Sequence, residues 1–194
     1  KTTGLLRCWG ANGYRYMDDG TTTDKLAPVS VDSGTQYSKI FLNYNHICGI
    51  TTAGAIKCWG QNWIGNGNLT PTIIDNSDTY SELILNSKIG CGLTTANLLK
   101  CWGSTEPSYP TFLPSDQVIS PVEINAGVQY KKVVMTGTSY QSKICAIRID
   151  NTLDCAGYGL VNYTNNHKSF SPRTLTKWDS VKFSSISGYY ENGY

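Results

Sequence analysis

Apolar residues in this chain come in short runs, each closed off by Gly, Asn, Asp or Thr. No window carries the 3.6-residue periodicity of an amphipathic helix. Residues 47–51 and 55–59 flank a turn holding Ala53-Gly54. Residues 93–95 and 98–102 flank Ala96-Asn97, and 144–149 and 152–155 flank Asp150-Asn151. Gly, Asn and Asp tolerate the positive φ that tight hairpins require, so each pair predicts a β-hairpin. Segments 37–42 and 130–135, each led by Tyr, predict a third strand. Segments 29–31 and 122–124 each follow a proline and fit a fourth, since proline suits the start or edge of a strand.

These elements recur. Arg7-Cys8-Trp9-Gly10 returns as Lys57-Cys58-Trp59-Gly60, as Lys100-Cys101-Trp102-Gly103 and, degenerate, as Asp154-Cys155-Ala156-Gly157, at spacings of 50, 43 and 54 residues. Cys48-Gly49-Ile50, Cys91-Gly92-Leu93 and Cys145-Ala146-Ile147 form a second landmark. An aromatic precedes an aliphatic by three at Tyr37/Ile40, Tyr80/Leu83, Tyr130/Val133 and Trp178/Val181. Pro28, Pro71, Pro121 and Pro172 form a fourth landmark. Four landmarks in one order define a repeat, dividing the chain at approximately 1–47, 48–90, 91–144 and 145–194. About four strands in each 43–54 residues is the size of a β-propeller blade. The expected fold is all-β, a propeller segment of about four blades.

Composition removes several other classes. Sixteen Lys+Arg against fourteen Asp+Glu leave a net charge of +2, with no basic cluster, which argues against nucleic-acid binding. No apolar run approaches the ~18 residues of a membrane helix. Aromatics at 11 % can build a core, so disorder is not expected. Ser, Thr and Asn exceed a quarter of the chain, which suits a turn-rich β protein.

The seven cysteines follow the repeat. Cys48 and Cys58, Cys91 and Cys101, and Cys145 and Cys155 each have nine residues between them and sit on the two arms of a predicted hairpin. Opposed residues on antiparallel strands bring Cβ atoms within ~5 Å, close to disulfide geometry. Three disulfides are therefore expected, and with them an oxidising, extracellular or cell-surface location. The rival readings are zinc, which lacks its usual C-x2-C spacing here, and reduced core cysteines. Sequons at Asn68 and Asn162 agree with secretion. Cys8 is left over. By the repeat spacing its partner belongs ten residues earlier, and residues 187–194 read like the approach to a further cysteine. The expectation is a window of a longer array; a closed ring that lost one cysteine, and a free reactive thiol, are the alternatives.

The phrase Cys-Trp-Gly-x-Asn, carried by Trp9-Gly10-Ala11-Asn12 and Trp59-Gly60-Gln61-Asn62, resembles the regulator of chromosome condensation repeat family. Asp19 to Asp24 with Pro28-Val29, and Asn45-His46-Ile47-Cys48, resemble further segments of its secreted, cysteine-bearing members. The family's terminal Gly-Gln-Leu-Gly is absent, and Ala156 stands in place of the last Trp. The resemblance implies a propeller that closes with about seven blades. It implies a scaffold without fixed activity, since members include a nucleotide-exchange factor and an enzyme inhibitor.

No catalytic constellation stands out, and no cofactor is expected. Asp18, Asp19 and Asp24 could form a calcium loop, but the same stretch is ordinary loop sequence in similar repeats. His46 has no acid or nucleophile nearby and reads as a loop or strand-end residue. Trp9, Trp59 and Trp102 read as blade packing rather than a sugar platform. Binding is expected on the loops that break the repeat, at 12–24, 62–68, 104–120 and 158–171. Their non-repeated aromatics, Trp63, Tyr109, Phe112, Tyr158 and Tyr163, are the candidate contact residues. The expected partner is a protein or a surface glycan, with self-assembly possible and no membrane insertion. The function expected is non-catalytic interaction in the manner of an adhesin or fibrous appendage, with a lectin or a secreted enzyme inhibitor as alternatives.

Overall fold

The computed structural model of the chain describes residues 4–43, 46–60, 69–104, 113, 117–137 and 142–157. Among them there is no helix. Thirteen strands form four antiparallel sheets. The first holds β1 (Arg7–Gly10) and β2 (Lys25–Ser30). The second is a meander of β3 (Tyr37–Leu42), β4 (His46–Thr51), β5 (Ile56–Gly60) and β6 (Thr72–Asp75). The third repeats that order with β7 (Tyr80–Leu85), β8 (Ile89–Thr94), β9 (Leu99–Ser104) and β10 (Gln117–Glu123). The fourth holds β11 (Tyr130–Thr136), β12 (Lys143–Arg148) and β13 (Leu153–Gly157). Three sheets thus open at the repeated tyrosine, one strand ahead of the cysteine landmark.

The hairpins form where the sequence places them. Gly54, Asn97 and Asn151 take positive φ of 90°, 66° and 72°. Their amides donate to the carbonyls of Thr51, Thr94 and Arg148 at 2.9, 2.9 and 3.0 Å. This is a three-residue hairpin loop whose left-handed position accepts only Gly or Asn cheaply.

The same turn residue ties one sheet to the next. The amide of Tyr80 donates to Gly54 O at 3.3 Å, and that of Tyr130 to Asn97 O at 2.7 Å. Gly4, which stands 50 residues before Gly54, receives the amide of Tyr37 at 2.7 Å. Corresponding strands of successive sheets therefore lie near one another: β7 packs beside β3 and β11, and β10 beside β6.

The core lies between the sheets. β4 and β8 are buried along their whole length. Their central glycines are needed because a tyrosine ring lies across them. A Cβ on Gly49 would come within 2.4 Å of the Tyr37 ring, and one on Gly92 within 2.6 Å of Tyr80.

The proline strands differ from the sequence expectation in extent. β2 and β10 begin ahead of Pro28 and Pro121, so proline sits inside the strand. Both strands lie at a sheet edge, where a missing N–H costs no ladder bond. In β10 the register shifts between Val118 and Val122, so the proline falls in the irregularity.

Candidate interaction surface

Each expected cysteine pair is directly opposed in the register, Cys48 to Cys58, Cys91 to Cys101 and Cys145 to Cys155. Their Cα atoms are 4.1, 4.0 and 4.1 Å apart and their sulfurs stand at bonding distance. Cys8 is free and half-buried, and burial pushes its thiol up. Among the described residues no group of three His, Cys, Asp or Glu is placed to hold a metal.

The tryptophans after these cysteines do not share one environment. Trp59 and Trp102 are completely buried, whereas Trp9 is 64 % exposed. The Trp59 indole N–H donates to Tyr16 O at 2.9 Å, and its ring meets Tyr37 at 6.1 Å between centroids. Trp102 instead lies over Gly90, where a Cβ would fall 2.4 Å from the indole. The glycine that follows is required by backbone shape. Gly103 has φ +135° and Gly157 φ +116°, and a Cβ would strike the carbonyls of Lys88 and Ser142 at 2.3 and 2.2 Å.

A charged device joins successive sheets. The Tyr37 hydroxyl donates to Asp32 Oδ2 at 2.5 Å, and Lys57 Nζ reaches the same carboxylate at 2.8 Å. Burial alone would raise Asp32, but hydrogen bonds from Lys57, Tyr37 and Thr35 hold its carboxyl below the usual range. Burial and the adjacent carboxylate keep the Tyr37 phenol protonated far above its ordinary range. One repeat later, Tyr80 donates to Asp75 at 2.5 Å and Lys100 pairs with Asp78. At the next junction the wiring changes. Asn125 Nδ2 donates to the Tyr130 hydroxyl at 2.8 Å. That hydroxyl donates to Asp154 Oδ2 at 2.8 Å, and Arg148 pairs with Asp154 at 2.6 Å. Asp154 occupies the register position of Lys57 and Lys100. Sequence reasoning missed this device. Its signal was available as the fixed five-residue offset of Asp32, Asp75 and Asn125 from the tyrosines.

Of the four variable loops, 12–24 is described throughout. It folds around Asn12, which is completely buried. Asn12 Oδ1 accepts the amide of Met17 at 3.1 Å, and Nδ2 donates to Thr21 O at 2.9 Å. The acids considered for calcium are engaged in the same loop. Asp24 Oδ1 accepts the amide of Asn12 at 2.9 Å, and Asp19 pairs with Lys25 at 2.5 Å. Asp18 Oδ2 accepts the amide of Asp32 at 3.2 Å, and burial raises its carboxyl. The loop holds the half-buried Tyr14 and Tyr16 with rings 5.9 Å apart, and Tyr16 packs against the core around Trp59 while its carbonyl accepts the Trp59 indole N–H.

Other candidates fall elsewhere. Trp63, Tyr109, Phe112, Tyr158 and Tyr163 lie outside the described residues, as do Asn68 and Asn162. Leu113, beside Phe112 in sequence, is buried in the core. His46 is a strand-end residue, buried at the start of β4, and burial lowers its pKa to about 3.

No protein-family model matches the chain, and no curated protein matches it. Solved structures do. Human WBSCR16 superposes over 88 % of this chain with a TM-score of 0.61 at 11 % identity. Yeast RCC1 (Prp20), bound to Kap60, covers 85 % at TM-score 0.58 and 15 % identity. A second structure of Prp20p from Saccharomyces cerevisiae covers 82 % at TM-score 0.61 and 11 % identity. The fold is that of RCC1-like β-propellers. The chain spans 48, 41 and 43 % of the chains in those three structures. In RCC1-like terms, the second and third sheets are complete four-stranded blades, and the first and fourth are represented by two and three strands among the described residues.

Proposed function

We propose that the chain is part of an extracellular, non-catalytic propeller whose non-repeated loops bind a protein or a surface-bound ligand. The observation that carries this is the 12–24 loop. A buried asparagine fixes it beside sheets that are stapled internally by cystines, and it carries the half-buried Tyr14 and Tyr16, the latter packed against the Trp59 core. A rigid base under a variable loop is the usual design of a binding surface. Protein partners agree with the relatives, since yeast RCC1 (Prp20) is seen bound to Kap60 and is described with binding properties to Gsp1p and histones. The cystine pairs favour an oxidising location, at the cell surface or outside the cell. An adhesin or appendage role, occupied glycans at Asn68 and Asn162, and self-assembly belong to this reading.

Crosslinking mass spectrometry on the chain in its native extracellular setting tests it. Partner crosslinks should concentrate on residues 12–24, 62–68 and 104–120. Alanine at Tyr14, Trp63 or Tyr109 should lower partner capture about ten-fold with unchanged melting. Crosslinks confined to the sheet faces would overturn the reading. Binding to a glycan array that disappears with Trp63→Ala would replace the protein partner with a carbohydrate.

A further inference from the structure

We propose that Asn12–Gly13 is a modification site: when loop 12–24 opens, Asn12 deamidates, and the acid that forms cannot rebuild the loop. The inference concerns how long the loop keeps its shape and does not rest on what the loop binds.

The glycine is the first clue. Gly13 is exposed, its φ is not left-handed, and a Cβ added to it would meet nothing within 4 Å. The fold therefore makes no demand for glycine here. What glycine does supply is an unhindered main-chain nitrogen beside an asparagine side chain. At the matching repeat position Asn62 is followed by Trp63, a bulky neighbour for the same reaction.

The folded loop is built around the amide. Asn12 is completely buried. Its Oδ1 accepts the Met17 amide at 3.1 Å, and its Nδ2 donates to Thr21 O at 2.9 Å and to Asp19 Oδ1 at 3.4 Å. Its main-chain N–H donates to Asp24 Oδ1 at 2.9 Å, and its carbonyl accepts the Arg15 amide at 2.9 Å. These bonds hold the side chain out of reaction until the loop opens locally. The Gly13 nitrogen then attacks Asn12 Cγ, and the new N–C bond closes a succinimide ring. The C–NH2 bond breaks, and ammonia leaves with the Gly13 amide proton. Water opens the ring at either carbonyl, giving aspartate or isoaspartate. In total one water enters and one ammonia leaves. Both products have lost the Nδ2 donors. They set a new carboxylate against Asp19 and Thr21 O in a site closed to solvent, where an unpaired charge is costly. The loop stays open, the Trp59 indole loses its bond to Tyr16 O, and the net charge falls from +2 to +1.

Peptide mapping by mass spectrometry follows residue 12 in the full chain, incubated at neutral pH with and without urea. Native conversion should proceed, at least ten-fold slower than in urea. Asp24→Ala removes the acceptor of the Asn12 amide and should speed native conversion about ten-fold, with the rate in urea unchanged. Gly13→Ala should slow the rate in urea about ten-fold and leave melting unchanged. Asn12→Asp, which copies one product, should let trypsin cut after Arg15 at least ten-fold faster, while cleavage after Lys57 and Lys100 stays as it was. Native conversion at the urea rate, or none at all, would overturn the proposal. So would an Asn12→Asp chain in which Arg15 stays protected, or in which all three trypsin sites open alike.

Discussion

The hairpins β8–β9 and β12–β13 have one backbone and two different fillings. Both close with a left-handed Asn, both oppose their cysteines, and both end in a positive-φ glycine. In the first, Gly90 faces a buried Trp102. In the second, Ile144 faces Ala156. The large residue has moved to the opposite strand. The charge has moved as well: Lys100 pairs outward to Asp78, whereas Asp154, 3 % exposed, takes both the Tyr130 hydroxyl and Arg148. What persists from blade to blade is main-chain geometry and the cystine. The side chains persist only as pairs. The β4–β5 hairpin is a third solution, with Ile47 opposite Trp59, because that indole turns toward Tyr16 and Tyr37 instead of over its cross-strand neighbour.

The largest effect tests the volume exchange. Trp102→Ala should cost about 3–5 kcal/mol, as for other fully buried tryptophans. Gly90→Ile should cost about 3 kcal/mol, because its Cβ collides with the indole. The double variant recreates the Ile144/Ala156 pairing and should cost about 1–3 kcal/mol less than the sum. Urea denaturation of the four chains gives the coupling, and strict additivity would break the comparison. Next come the cystines. Replacing both members of Cys91–Cys101 or of Cys145–Cys155 by Ala should cost about 2–3 kcal/mol in each case. The two losses should agree, because both pairs have a sequence separation of 10. A loss confined to one hairpin would mean that its filling, not its staple, holds it.

The junction exchange ranks third. Asn125→Asp alone sets a second carboxylate on the Tyr130 hydroxyl and should destabilise by about 2 kcal/mol. Adding Asp154→Lys restores the arrangement of Asp32, Tyr37 and Lys57 and should recover most of that loss. A double variant weaker than either single one would show that the two wirings are not interchangeable.

How much of this was legible depended on the kind of constraint. Gly54, Asn97 and Asn151 announced the hairpins because positive φ restricts residue identity at one position. The cysteine pairs were legible for the same local reason, being separated by one turn. The sheet junctions were harder to read. The pairing of Asp154 with Tyr130 spans 24 residues and becomes visible only once the sheets are stacked. Trp9 showed the limit of the repeat itself: its motif matches Trp59 and Trp102, yet its exposure depends on what lies beside β1. The loop aromatics gave composition but no geometry, and Asn12, the residue that organises loop 12–24, carried no signal beyond matching Asn62.

The smallest effect concerns the register position that is His46 in β4, Ile89 in β8 and Lys143 in β12, each opposite a glycine. His46 and Ile89 are buried, whereas Lys143 is exposed. Burial keeps the His46 imidazole neutral in the fold, with its pKa at about 3. In the unfolded chain it takes up a proton near the usual ~6.5. As pH falls through that value, the unfolded state gains a proton that the folded state refuses, so stability is lost on acidification and regained as pH rises. Between pH 7 and 5.5 the loss from this group should be about 1 kcal/mol. Asp32 and Asp75, with carboxyls held below their usual range, add their own losses only at lower pH. His46→Ile copies the buried solution of β8 and should flatten the urea midpoint against pH in that window. An unchanged slope would place the acid sensitivity outside this hairpin and separate β4 from β8 by packing alone.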